Sequence, residues 1–133
     1  MEAQCACGQL TVALPDDVTP AVVACHCTAC QRRSGSPFGV GAYYPRALLS
    51  FSGETRAWTR LADSGGAFTT HFCPVCGSSV YWTTEKHPDA VGIAVGAIAD
   101  PHFPAPIRSV WEETRHDWVE ITPASQHFPR GRS

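Results

Sequence analysis

Apolar and polar residues alternate along this chain only in short stretches, broken by eleven glycines and eleven prolines. Residues 9–14 set Leu10, Val12 and Leu14 on one face with a period of two, the pattern of a half-buried strand. Residues 21–27 form an apolar run rich in β-branched side chains. Residues 38–44, 57–60, 68–72, 79–84, 91–97 and 107–111 predict further strands, and 119–121 a last short one. Only residues 28–34 read as a helical turn or two, opened by Thr28 as N-cap. The prediction is an all-β chain with little helix, folded as one domain over residues 1–133. Trp58, Trp82, Trp111 and Trp118 are expected in its core.

The cysteines change this picture from a fold to a chemistry. All seven fall into three clusters: Cys5-Ala6-Cys7-Gly8, Cys25-His26-Cys27-Thr28-Ala29-Cys30 and Cys73-Pro74-Val75-Cys76-Gly77. Thiols at such spacing point to metal ligation before disulfide pairing, and an odd count argues against a disulfide scaffold. Cys5 and Cys7 with Cys73 and Cys76 make a closed four-thiolate site, expected to be structural. Cys25, Cys27 and Cys30 make a three-thiolate site with one position open, where a metal can bind or activate a substrate. Zinc is the expected metal, with iron as the competing one for four sulfurs.

In a strand, residues i and i+2 share a face, so Cys5 with Cys7 and Cys25 with Cys27 are expected to point together. His26 then faces away from its cysteine neighbours, toward packing, an outer contact or a substrate, and is a weaker candidate for a zinc ligand than they are. His71, two residues before Cys73, is expected close to the closed site or simply packed. For the three-cysteine cluster, a Cys27–Cys30 redox pair and a set of buried thiols remain the alternatives.

Arg32 and Arg33 follow the open cluster within Gln31-Arg32-Arg33-Ser34-Gly35-Ser36-Pro37-Phe38. They can offset the charge of three thiolates or hold a substrate carboxylate, or else be solvated helix-end charges. The glycine-containing stretch 61–66 reads as a mobile hairpin loop able to cover a pocket. Charge and hydropathy narrow the partners. A net charge of −2, more negative once thiolates form, disfavours nucleic acid. Arg130 and Arg132 read as a solvated tail. No signal peptide or membrane span is evident, so a reduced, cytoplasmic setting is expected.

Taken together, Cys-X-Cys-Gly near the start, Cys-His-Cys-X-X-Cys with Ser-Gly-Ser-Pro-Phe after it, and Phe-Cys-Pro-X-Cys-Gly-Ser in the middle resemble one family. It is the glutathione-dependent formaldehyde-activating enzyme family, which includes the centromere protein V type domain. The resemblance runs from Cys5 to about Pro129 and includes Val95-Gly96 followed by Asp100-Pro101. It implies a β-tent of packed antiparallel sheets. It further implies a structural zinc on Cys5, Cys7, Cys73 and Cys76 and a catalytic zinc on Cys25, Cys27 and Cys30. The implied activity is that of a carbon–sulfur lyase on the adduct of glutathione, or another thiol, with formaldehyde or another aldehyde. A non-catalytic, zinc-stabilised binding module is the other reading of the same residues. Neither reading sets the oligomeric state.

Overall fold

The computed structural model describes residues 1–131. Arg132, one of the two basic tail residues noted above, lies outside them. The elements run β1 (Glu2–Gln4), β2 (Thr11–Ala13), β3 (Ala21–Cys25), α1 (Thr28–Ser34), β4 (Gly39–Pro45), β5 (Ser50–Ser52) and β6 (Arg56–Leu61). They continue with β7 (Ala67–Phe72), β8 (Ser79–Thr84), β9 (Ala90–Ala94), α2 (Val95–Ile98), β10 (Arg108–Val110) and β11 (Gln126–His127). A small sheet has the order β1-β2-β5 and a large one β11-β10-β3-β4-β9-β8-β7-β6. Pairing is antiparallel except where β10 lies parallel to β3 and to β11. No helix among the described residues is long and apolar enough to cross a membrane.

The period-two pattern becomes packing between the two sheets. Ala3, Leu10, Val12 and Leu14 from the small sheet and its flanks meet Val22, Ala42, Tyr44, Val80, Val91 and Ile93 of the large sheet in one core. Complete burial of each Val or Ile there stabilises the fold by about 1.5–3 kcal/mol. The other face of the large sheet carries the residues between these. The registers Val23↔Gly41, Cys25↔Gly39, Tyr43↔Gly92, Trp82↔Gly92 and Arg60↔Phe68 bring them into one band. Gly41 and Gly92 leave room for Trp82. A Cβ at Gly92 would lie 2.2 Å from the indole Nε1, and one at Gly41 2.5 Å from Cζ2.

Several expectations change. The stretch 119–121 is not a strand; Val119 and Ile121 instead plug a second apolar cluster with Ala24 and Ala124. The strand expected over 91–97 gives way to α2 at Val95. β1, β5 and β11 were not anticipated, because two or three residues are too short to show a period. Helix α1 has the expected extent, but its N-cap is Cys27, whose sulfur accepts from the Cys30 N–H. Trp82 is buried, Trp111 is half-buried, and Trp58 and Trp118 are 62% and 75% exposed, so these two are not core.

Candidate metal centre and cleft

Cys5 and Cys7 do not share a strand face; β1 ends at Gln4 and both lie in the turn after it. Cys73 and Cys76 lie in the matching turn after β7. Each turn closes through a glycine amide: Gly8 donates to the Cys5 carbonyl at 3.1 Å and Gly77 to that of Cys73 at 2.8 Å. Both glycines have positive φ, 83° and 79°, which other residues reach only with strain. This lets the chain double back with amides toward sulfur. Leu10 N–H donates to Cys5 Sγ at 3.3 Å and Val75 N–H to Cys73 Sγ at 3.4 Å. The Gln9 side-chain amide donates to Cys73 Sγ at 2.9 Å and to the Glu54 carbonyl at 2.7 Å. The turns are also tied together, since the Ala6 N–H donates to Ser78 Oγ at 3.1 Å.

The four sulfurs lie within 4.8 Å of one another. Cys5 Sγ is 3.6 Å from Cys7 Sγ, which is 3.7 Å from Cys73 Sγ. Tetrahedral Zn–S bonds of about 2.3 Å put sulfurs about 3.8 Å apart, so these two spacings suit zinc. A hydrogen bond with Ser78 holds the Cys76 thiol down to about 5, which favours the ligating thiolate.

The second cluster is built from different local structure. Strand β3 ends at Cys25, His26 and Cys27 turn the chain, and α1 carries Cys30 one turn on. All three sulfurs again lie within 4.8 Å of one another. Cys27 is buried and Cys25 half-buried. Hydrogen bonds from the other two thiols push Cys27 well below the usual thiol range, whereas serving Cys27 and Cys30 pushes Cys25 well above it. Left to themselves, the three thiols therefore share their protons. A cation is needed to hold three thiolates here. The donor set suits zinc with a fourth position left for another ligand.

His26 makes its contacts away from the sulfurs, although it lies in the turn after β3 and not in a strand. Its ring is fully buried, packs against Phe38 and shares a 2.8 Å hydrogen bond between Nε2 and Ser109 Oγ. Its carbonyl accepts from Thr114 Oγ1 at 2.8 Å and from Gln31 Nε2 at 2.9 Å. Its N–H donates to the Val110 carbonyl at 3.1 Å. The residue between two candidate ligands is thus a backbone clamp. His71 stacks on Tyr81 with ring centroids 4.5 Å apart and packs rather than serving the four-sulfur cluster.

The three-sulfur cluster opens onto a cleft of the large sheet, whereas Cys5 of the four-sulfur cluster borders a different hollow. Cys25, Cys27 and Cys30 line a cavity of about 180 Å³ together with Arg33, Tyr43, Arg60, Trp82 and Trp111. The hairpin loop between β6 and β7 contributes Asp63 and Ser64 to its rim, as expected of a covering loop. Arg33 lies with Cζ 4.3 Å from the Trp82 ring centroid, and Arg60 at the same distance from Phe68. Arg32 does not join them. It lines an adjoining hollow with Trp58 and Phe72, which Arg33 and Arg60 also border. Tyr43 Oη accepts from Trp82 Nε1 at 3.2 Å, and burial pushes the phenol up to about 12.

Arg60, Tyr43 and Trp82 escaped the sequence reading as site residues. They reach the sulfurs only through the order of strands, and no local motif marks them.

Known proteins bear on this geometry. A family model described as glutathione-dependent formaldehyde-activating enzyme matches residues 1–114. The crystal structure of a Rhodobacter sphaeroides protein, a structural-genomics target, has a TM-score of 0.57 to this one at 15% identity. The alignment covers 96% of this chain and 99% of that one, a likeness of fold alone. No curated protein matches. With the three cysteine clusters inside the matched residues, the chain belongs to the glutathione-dependent formaldehyde-activating enzyme family.

Proposed function

We propose that this chain is a zinc-dependent carbon–sulfur lyase acting on a thiol–aldehyde adduct of the S-hydroxymethylglutathione kind. One observation carries the reading: of two sulfur clusters, the one with three sulfurs opens onto a cleft lined by two arginines and a tyrosine. Cys5, Cys7, Cys73 and Cys76 would hold a structural zinc, and Cys25, Cys27 and Cys30 a second. Zinc at the three sulfurs would supply Lewis acidity and lower the pKa of a thiol at its fourth position.

The chain's own residues do the rest. Cleavage of an adduct RS–CH₂–OH breaks the C–S bond, and the hydroxyl proton ends on the departing thiol. Tyr43 is protonated at neutral pH, as any phenol with an ordinary value of 10 is, and burial pushes it further up, so its Oη can donate a hydrogen bond to the adduct oxygen. Trp82, Val23 and Val110 wall the cavity with apolar surface and restrict water. Arg33 and Arg60 offset anionic charge at the rim and can orient a carboxylate. Thiol addition to formaldehyde is already easy in water, so positioning is the main contribution the protein makes.

The test is metal content together with turnover. Protein purified under reducing conditions is expected to carry about two zincs per chain. It should also accelerate breakdown or formation of the glutathione–formaldehyde adduct. Two zincs without acceleration would turn the reading to a zinc-stabilised binding module.

A further inference from the structure

Two residues that the three-sulfur cavity and the core leave aside meet in the adjoining hollow: Arg32 and the exposed Trp58. This hollow measures about 480 Å³, and small-ligand sites run to about 300–1,000 Å³. Two elements wall it. Strand β6 is the edge of the large sheet, with β7 as its neighbour. Arg56, Trp58 and Arg60 alternate along β6 and so share one face, each arginine about 6.6 Å from Trp58 along the strand. Helix α1 supplies the other wall with Ala29, Arg32 and Arg33, whose spacing puts them on one side of the helix.

The charge here is one-sided. Among the described residues no carboxylate lines the hollow, and none forms an ion pair with Arg32, Arg33, Arg56 or Arg60. Arg33 and Arg60 lie over Trp82 and Phe68, and a guanidinium stacked on a ring keeps its edge for hydrogen bonds. These two also border the three sulfurs, whereas Arg32 does not. No other ring among the described residues packs on Trp58.

An open indole between guanidinium groups matches a ligand that is flat and aromatic at one end and anionic at the other. An acidic peptide would leave the indole bare. A second copy paired antiparallel along the β6 edge about Trp58 would set Arg56 against Arg60 and repel. A long nucleic-acid strand is opposed by the net charge of −2. A phosphate ester carried on a single base meets both features at the size of this hollow.

We propose that the hollow between β6 and α1 binds a nucleoside phosphate, with the base stacked on Trp58 and the phosphate held by Arg32 and Arg60. Nothing in this depends on the lyase reading, since the ligand needs no thiol and no metal.

The probe is AMP, titrated by calorimetry into the zinc-loaded protein, with adenosine, inorganic phosphate and a short oligothymidylate as comparisons. AMP is expected to bind at least about tenfold tighter than adenosine or phosphate, each of which keeps one half of the contacts. Trp58→Ala should weaken AMP about tenfold and Trp58→Phe should recover part of the loss. Arg32→Gln should weaken AMP by a similar factor and leave adenosine unchanged. Both side chains are exposed, so a circular dichroism melt close to wild type is expected for each variant. Phosphate binding as tightly as AMP, or AMP binding indifferent to Trp58→Ala, would overturn the base site. Failure of the wild type to bind AMP at millimolar concentration would overturn the proposal outright. Oligothymidylate binding far tighter than AMP and lost in Trp58→Ala would replace the mononucleotide with a strand.

Discussion

The two sulfur clusters use the same ligand atom but different supports. The four-sulfur cluster joins two glycine-closed turns that hydrogen-bond to each other and to the sulfurs, with Gln9 bridging. The three-sulfur cluster hangs between a strand end and a helix N-cap, and its supports hold the backbone of His26. One arrangement ties residues 5 to 76 into a unit; the other presents sulfur to a cleft. Identical side chains thus divide between a cluster of four and a cluster of three that faces a cleft, according to the local backbone that carries them.

The comparison breaks most sharply at Cys73. It is fully buried and accepts from Gln9 and Val75, so serine there removes a ligand and a bridge together. Structural zinc contributes about 10–16 kcal/mol in small zinc domains, comparable to the whole stability of a domain. Cys73→Ser, or a strong chelator on wild type, is expected to abolish cooperative unfolding in a circular dichroism melt. A folded, cooperative Cys73→Ser protein would show that this cluster is not what holds β1 to β7.

Cys27→Ser should separate the two clusters from the other side. Serine keeps an N-cap acceptor for the Cys30 amide, so α1 survives and the melting temperature moves by only a few degrees, about what a weakened cap costs. Turnover of the glutathione–formaldehyde adduct is expected to fall on the order of 10²–10³-fold, as when a principal charge stabiliser is lost. Near-normal turnover in a protein that has lost one zinc would move the chemistry away from the three sulfurs.

The contrast also explains what the sequence made legible. Cysteine spacing, the glycine after each turn and the helix after Cys27 are local, and the division into four and three follows from them. The reason the ligands converge was less legible. Strand alternation was invoked for Cys5 with Cys7 and Cys25 with Cys27, but β1 and β3 both end before the pair is complete. Turns do the work that strands were expected to do. Arg60, Tyr43 and Trp82 were invisible because they meet the sulfurs across β4, β9, β8 and β7, and strand order is not written in periodicity. Of Arg32 and Arg33, adjacent in sequence, Arg33 alone lines the cavity at the three sulfurs, because the helix turns the two about 100° from each other.

Gly92 tests the cleft rather than either cluster. A Cβ at this position would strike the buried Trp82 indole, whose Nε1 donates to Tyr43 Oη. Gly92→Ala should destabilise the fold by about 1–3 kcal/mol through overpacking. It should also raise KM for the adduct more than it lowers kcat, because Trp82 walls the cavity and is not itself a candidate metal ligand. Tryptophan fluorescence would report the indole shift. An unchanged spectrum and KM would mean that the sheet yields and the cleft does not depend on the glycine floor.

The smallest effect concerns what stands behind the three-sulfur cluster. Thr114 Oγ1 donates to the His26 carbonyl, and Thr114 closes a 3₁₀ turn begun by Glu112. That turn is fastened to the C-terminal segment by amides of Glu112 and Glu113 and by a 2.8 Å contact between Glu112 Oε2 and His127 Nδ1. The hydrogen bond that His127 Nδ1 donates to Glu112 raises the histidine above its usual 6.5. For Glu112, burial alone would raise the carboxyl, but hydrogen bonds from His127 and Ser109 bring it below its usual 4.5. The raised histidine contributes fully below 6.5 and loses its contribution as pH rises through its folded value. The depressed carboxylate contributes fully above 4.5 and loses its contribution as pH falls through its folded value. The pair is therefore complete between about 4.5 and 6.5. Glu112→Gln should lower the melting temperature by no more than about 2 °C, most clearly near pH 5.5, with the difference fading in alkaline buffer. The His127 titration followed by NMR should move down toward 6.5 in the variant. A difference that instead grew at alkaline pH would mean that the carboxylate serves a partner other than this histidine, and that the clamp on His26 is fastened elsewhere.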